Sequence, residues 1–145
     1  MRGIVVGVDG SENSHSALEW AVREAALTHA PLTVLTVHQV AASHWTGSPV
    51  IYPADQPEVE TSRTLADEAV RKATSQLGEA QPSAVTVQAV SGLPAMELVN
   101  ASRDADLVVV GSPGGGGFAS LLMGSVSNQV VHHAACPVVV VPSHR

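Results

Sequence analysis

Short apolar runs rich in β-branched residues alternate with segments of helical periodicity along this chain, and the alternation limits the folds open to it. The runs are apolar on both faces, as expected of strands that are buried from both sides. Strands of this kind, separated by helices, are typical of a parallel sheet with right-handed crossovers. We therefore predict an α/β, Rossmann-like fold with one open five-stranded sheet and helices on both faces. The predicted strands span residues 3–8, 32–37, 84–90, 107–110 and 138–141.

Four segments between these runs carry apolar residues at helical spacing. Gly78 follows the second of them, where a helix C-cap is expected, and Leu65 and Ala66 belong to the predicted apolar face of that helix. Residues 39–57 hold several prolines and no clear period, so we predict a long loop there, which is often functional in a small domain. The predicted helices span residues 14–27, 60–76, 94–101 and 124–134.

Composition narrows the class of protein. A length of 145 residues with 45% apolar residues fits one domain, residues 1–145. Seven Lys and Arg against thirteen Asp and Glu give a net charge of −6 without a basic cluster, so binding to nucleic acid is not expected. The apolar runs are far shorter than a membrane span, and the sequence has one cysteine and no signal peptide. We expect a cytoplasmic protein that does not enter a membrane.

A glycine-rich segment follows the fourth predicted strand and precedes the last predicted helix. It begins at Gly111, runs through residue 117 and leads to Gly124 and Ser125. Glycines let backbone N–H groups approach phosphate oxygens closely, and the first N–H groups of a helix attract anions. The hydroxyls of Ser125 and Ser127 add donors. Because ligands of open α/β sheets bind outside the carboxyl ends of the strands, we predict a phosphate-binding site here.

Two common nucleotide-binding motifs do not fit the sequence. A Walker A loop needs a lysine before its Ser or Thr, whereas Met123 precedes Gly124 and the one lysine of the chain is Lys72. A dinucleotide-binding turn would place its glycine fingerprint after the first strand, where residues 7–11 read GVDGS. The predicted phosphate site is therefore of another type.

From Gly111 the chain reads G-x2-G-x9-G-S, with Gly114, Gly124 and Ser125 at the other fixed positions. This spacing resembles the motif of the ATP-binding members of the universal stress protein family. The resemblance covers the chain apart from residues 41–57. Beyond the motif, it is carried by residues 4–11, the strand that ends at Val37, and residues 136–141.

The resemblance implies a sheet with strand order 3-2-1-4-5, ATP as the ligand, and a homodimer formed through the edge strand 138–141. It places Asp9 near the adenosine moiety, a role compatible with that of an acid at a helix N-terminus, and the backbone of Val37 against the adenine. The implied nucleotide contacts are Gly7, Val8, Asp9, Val37, Gly111, Gly114, Gly124, Ser125, Val126 and Ser127.

The glycine-rich loop departs from the family pattern at two positions. Pro113 and Gly115 stand where the loops of the family commonly carry basic or histidine residues, and no Lys or Arg lies between Arg103 and Arg145. Charge-assisted contacts are roughly twice as strong as neutral ones. We therefore expect weak ATP binding that depends on Mg²⁺ or Mn²⁺ held by the phosphates.

Three functions remain open at this point. The first is an ATP-binding stress-response regulator with little or no catalysis, because the loop lacks a general base, a Walker B acid and an arginine finger. The second is a weak ATPase or adenylating enzyme, and the third a nucleotide-free dimeric interaction module. We assign no catalytic residue and no metal ligand: the adjacent His132 and His133 point in different directions on their helix. Cys136, which precedes a proline, is expected to be buried.

Overall fold

The apolar runs form one parallel sheet in the computed structural model, which describes residues 3–9, 12–39, 42–43, 50–51, 56–78, 81–82, 84–112 and 125–142. The sheet has the order β5-β2-β1-β6-β7. This is the order 3-2-1-4-5 of the five predicted strands, and it confirms that prediction. The strands are β1 (Ile4–Val8), β2 (Leu32–Gln39), β3 (Ala42–Ser43), β4 (Val50–Ile51), β5 (Val85–Gly92), β6 (Leu107–Gly111) and β7 (Val138–Val141).

Helices cover both faces of the sheet. Starting from β1, the chain first adds β2 and β5 on one side of it and later adds β6 and β7 on the other side. Right-handed crossovers therefore place two helices on each face of the sheet. None of the helices in the described segments is long and apolar enough to cross a membrane. Helices α1 (Glu12–Thr28) and α2 (Gln56–Ser75) lie on one face, and α3 (Pro94–Ser102) and α4 (Ser125–His133) on the other.

Alternation along the central strands explains why they are apolar throughout. In β1, the side chain of Val6 packs in the core under α1 and α2, whereas that of Val5 packs under α3 and α4. Val34 and Leu35 of β2 divide in the same way. All four side chains are less than a tenth exposed. Each strand therefore contributes to two cores, as in sheets that are covered on both sides.

The end of α2 agrees with the predicted C-cap. The helix stops at Ser75, and a turn leads to Gly78, whose φ of 64° lies in the left-handed region. A side chain would be strained there, whereas glycine adopts this conformation readily. At the other end, α2 begins at Gln56, four residues earlier than predicted. Pro57 then lies in the first turn, where its missing N–H costs no helical hydrogen bond.

The predicted loop over residues 39–57 is wrong in part. Strand β2 continues to Gln39, and β3 pairs with β4 in an antiparallel ladder, with Ala42 opposite Ile51 and Ser43 opposite Val50. A ladder of two residues per strand is too short to produce a periodic pattern of apolar side chains. Its backbone pairing is therefore invisible to an analysis based on periodicity.

A buried hydroxyl joins α3 to the turn before β7. Ser102 is 1% exposed, and its Oγ accepts a hydrogen bond from the backbone N–H of Ala135 at 2.8 Å. The same hydroxyl donates to the carbonyl of Val99 at 2.5 Å. Cys136 follows in this turn and is half-buried rather than buried, because β7 is an edge strand. Burial raises the pKa of its thiol.

Candidate functional site

The candidate site lies at the carboxyl ends of β1 and β6, between which the strand order of the sheet reverses. These strands are neighbours, with Val6 opposite Val109. The chain leaves β1 for α1 on one face, and it leaves β6 for α4 on the other. Such a divergence opens a crevice outside the carboxyl ends of the strands, which is the usual ligand position in this class of fold. The structure therefore places Asp9 and Gly111, which are distant in sequence, at the carboxyl ends of two neighbouring strands.

Gly7 and Val8 form the end of β1 under the crevice. Val8 is 8% exposed. A Cβ atom built on Gly7 would lie 3.0 Å from Cδ1 of Leu98 in α3, tighter than an ordinary van der Waals contact. Gly7 therefore lets α3 pack closely against the central strand, a structural requirement in addition to the predicted nucleotide contact.

Asp9 is exposed directly after β1, and its backbone is held in place by α1. The N–H of Asp9 donates to Oγ of Ser14 at 3.2 Å, and Ser14 is 5% exposed. This bond fixes the turn from the strand into the helix. Asp9 precedes the first residue of α1 by three positions, and a negative charge near this end of the helix is favoured by the helix dipole. The sequence analysis missed Ser14, whose position two residues into the helix resembles that of many surface serines.

Val37 lies near the end of β2, in register with Val90 of β5. Its half-buried side chain packs in the core under α3 and α4. The predicted contact to adenine involves the backbone of Val37 and not this side chain. Thr36, the preceding residue, points to the opposite face of the sheet and is 7% exposed.

Ser127 connects the two ends of the glycine-rich loop. Its hydroxyl donates to the carbonyl of Gly111 at 2.7 Å, and the residue is 4% exposed. The N–H of Ser112 donates to the carbonyl of Val141 at 2.9 Å, which fixes the start of the loop to β7. A hydroxyl has a single proton. Ser127 could therefore donate to a phosphate, as predicted, only by releasing Gly111.

The other predicted contacts are described in part. Gly114 and Gly124 lie outside the described residues. Ser125 is the first residue of α4, but its side chain is outside the described part. Val126 is half-buried and packs in the core under α3 and α4. The first turn of α4 carries no acidic residue, so no carboxylate within it competes for the N-terminal N–H groups.

A groove of about 330 Å³ opens beside Asp9, between α1 and α2, and we call it the α1–α2 groove. Its floor is the end of β1 and β2, and its outer wall is one side of α2. The sequence did not reveal this groove, because Leu65 was predicted on the apolar face of its helix, whereas its side chain is 57% exposed. The groove is lined by Val8, Asp9, His15, Thr36, Ser62, Leu65, Ala66, Glu68, Ala69 and Lys72.

Among the residues that the structure describes, no three His, Cys, Asp or Glu side chains are grouped so that they could hold a metal ion.

Comparison with known proteins gives consistent matches. The model of the universal stress protein family matches residues 1–142. A universal stress protein of Mycobacterium tuberculosis (strain H37Rv) is 38% identical over 144 residues, which cover 98% of this chain and 48% of the relative. The chain thus spans about half the length of the curated relatives that it matches.

Solved structures agree with this result. UspA from Lactobacillus plantarum is 25% identical with a TM-score of 0.71, and the match covers 95% of each chain. A universal stress protein solved in complex with cAMP is 26% identical with a TM-score of 0.68, over 97% of this chain and 96% of that one. With a family match over nearly its full length, the chain belongs to the universal stress protein family.

Proposed function

We propose that this chain binds ATP in the crevice between β1 and β6 and acts as a stress-response regulator with little or no catalysis. The observation that carries the proposal is the position of Asp9 and Gly111 at the carboxyl ends of two neighbouring strands, between which the strand order reverses. A related protein of 26% identity was solved with cAMP, an adenine nucleotide, which supports the same class of ligand here.

The phosphates would lie against the glycine-rich loop and the first turn of α4. Backbone N–H groups can hold phosphate oxygens without a lysine, and the helix dipole adds to the attraction. The net charge of −6 opposes a triphosphate, so a divalent cation bound through its phosphates should strengthen binding. We expect Mg²⁺ or Mn²⁺ in this role.

The regulatory unit would be a homodimer of one-domain cytoplasmic subunits. In the described sheet β7 is an edge strand, and its four residues are half-buried valines. Pairing with β7 of a second copy would satisfy the open backbone groups and cover these side chains. Because β7 is joined to Ser112 at the start of the loop, nucleotide binding could alter the dimer.

Calorimetric titration tests the binding directly. We expect ATP to bind with Mg²⁺ present and at least tenfold more weakly with a chelator. Asp9→Asn should weaken binding about tenfold, the usual effect of losing a charge-assisted hydrogen bond. Asp104→Asn is the matched control, because Asp104 is also an exposed acid but lies at the opposite end of the sheet, before β6.

Two outcomes would contradict the proposal. If no adenine nucleotide binds the wild-type protein in the presence of Mg²⁺, the nucleotide-free interaction module becomes the better explanation. If the protein hydrolyses ATP or exchanges pyrophosphate at ordinary enzyme rates, above about 1 per second, it is an enzyme.

A further inference from the structure

The α1–α2 groove adjoins the proposed nucleotide site and shares Val8 and Asp9 with it. The inference drawn from it rests on the proposed function. A nucleotide has an anionic end and a flat, largely apolar end, joined by the sugar. If the phosphates lie on the β6 side of Asp9, the base must extend toward the other side, where the groove opens.

The charges in the groove favour the base over the phosphates. Asp9 and Glu68 contribute two carboxylates to its lining, against one ammonium group from Lys72. These three groups together give a net charge of −1. A phosphate placed there would face more negative than positive charge, whereas an uncharged base would not be repelled.

The α2 wall has the chemistry of a surface that contacts a flat ring. Leu65, Ala66 and Ala69 are neighbours on one side of the helix, and the two alanines leave space beside the leucine. Leu65 lines this groove and is 57% exposed overall, so a ring lying on it would remove apolar area from water. Ligand pockets are commonly lined in this way, with a few polar groups that fix orientation.

Polar residues of α2 stand at the two ends of this wall. Ser62 and Lys72 are ten residues apart, or about 15 Å along a helix. Helical side chains lean toward the N-terminus of their helix, and Lys72 is one of the residues that line the groove. An ammonium group only donates hydrogen bonds. It would therefore pair with an acceptor such as a ring nitrogen of a purine.

We propose that α2 forms the base-facing wall of the nucleotide site, and that Leu65 and Lys72 contact the base. Leu65 contributes apolar contact with the ring, and Lys72 contributes a hydrogen bond to its edge. Neither residue belongs to the glycine motif or to the strand ends that the resemblance assigns to the nucleotide.

The test measures the affinity of adenosine, AMP and ATP for four variants with Mg²⁺ present. Leu65→Ala should weaken all three ligands by the same factor, about fivefold for the apolar area lost. Lys72→Gln should also weaken all three equally, by about threefold to tenfold. The controls are Leu27→Ala, at a leucine 77% exposed outside the groove, and Arg71→Gln, the adjacent exposed cation of α2.

The controls should leave every affinity unchanged, and thermal melts should show all four variants folded, because these side chains are exposed. A loss for Lys72→Gln that grows from adenosine to ATP would place phosphates in the groove and overturn the inference. If the wild type binds ATP and neither groove variant weakens it, the inference is wrong while the proposed function stands. If the wild type binds no nucleotide, both are wrong.

Discussion

Replacing Ser127 by alanine removes the hydroxyl that links the first turn of α4 to the last residue of β6. The 2.7 Å bond from Ser127 to the carbonyl of Gly111 closes the glycine-rich loop at its base. Ser127 is 4% exposed, whereas Gly111 is half-buried. The variant therefore loses a part-buried hydrogen bond, and the carbonyl of Gly111 loses its side-chain partner.

The expected cost of Ser127→Ala is about 0.5–1.5 kcal/mol of unfolding free energy, the usual net contribution of one intramolecular hydrogen bond. In a domain of this size that corresponds to a fall in Tm of about 2–5 °C. ATP should also bind more weakly, because Gly111 and the first turn of α4 would no longer be linked before the ligand binds.

Urea unfolding and calorimetry of the ligand-free and ATP-bound protein measure both effects. Ser127→Thr keeps the hydroxyl and should retain most of the stability. Asn128→Ala, at the adjacent exposed position of α4, should be nearly neutral. If Ser127→Ala leaves the ligand-free Tm unchanged but abolishes ATP binding, the hydroxyl contacts phosphate directly and our explanation of its role is wrong.

Two further predictions concern the junction of α3, α4 and β7. Ser102→Ala should lower the free energy of unfolding in urea by about 1–3 kcal/mol, because the N–H of Ala135 loses its acceptor. The control Ser75→Ala, at an exposed serine, should lower it little, and equal losses would refute the reasoning. Because burial raises the pKa of the Cys136 thiol, the folded protein has less thiolate than the unfolded chain at about pH 8. Iodoacetamide should therefore react more slowly with the folded protein, and the reaction should accelerate as the pH rises. Equal rates in native buffer and in concentrated guanidinium would contradict this.

The strand order could be predicted because each strand has a local apolar pattern and the resemblance supplied their arrangement. The ends of the strands were harder to predict. Strand β5 continues to Gly92, two residues beyond the prediction, with Ser91 and Gly92 paired to His38 and Gln39 of β2. Serine and glycine have low strand propensity, so only the neighbouring strand reveals that the ladder includes them.

The candidate site was likewise predictable only in part. The positions of Asp9 and Gly111 at the carboxyl ends of β1 and β6 could be predicted, because each follows an apolar run in the sequence. The α1–α2 groove could not, because Leu65 fits the apolar spacing of its helix and periodicity does not distinguish the edge of a buried face from its centre. The bond from Ser127 to Gly111 likewise depends on how α4 is positioned over β6.

The central place of β1 has a consequence for protein synthesis. Its partner β2 follows after one helix, but its other partner, β6, is made much later: Gly3 and Asp106, which are hydrogen-bonded at the start of these strands, are 103 residues apart. At about 5–20 residues per second, a ribosome needs roughly 5–20 s to cover that distance. During this time the middle of the future sheet is an open edge, so a chaperone that covers exposed strands would be most useful before residue 111 emerges.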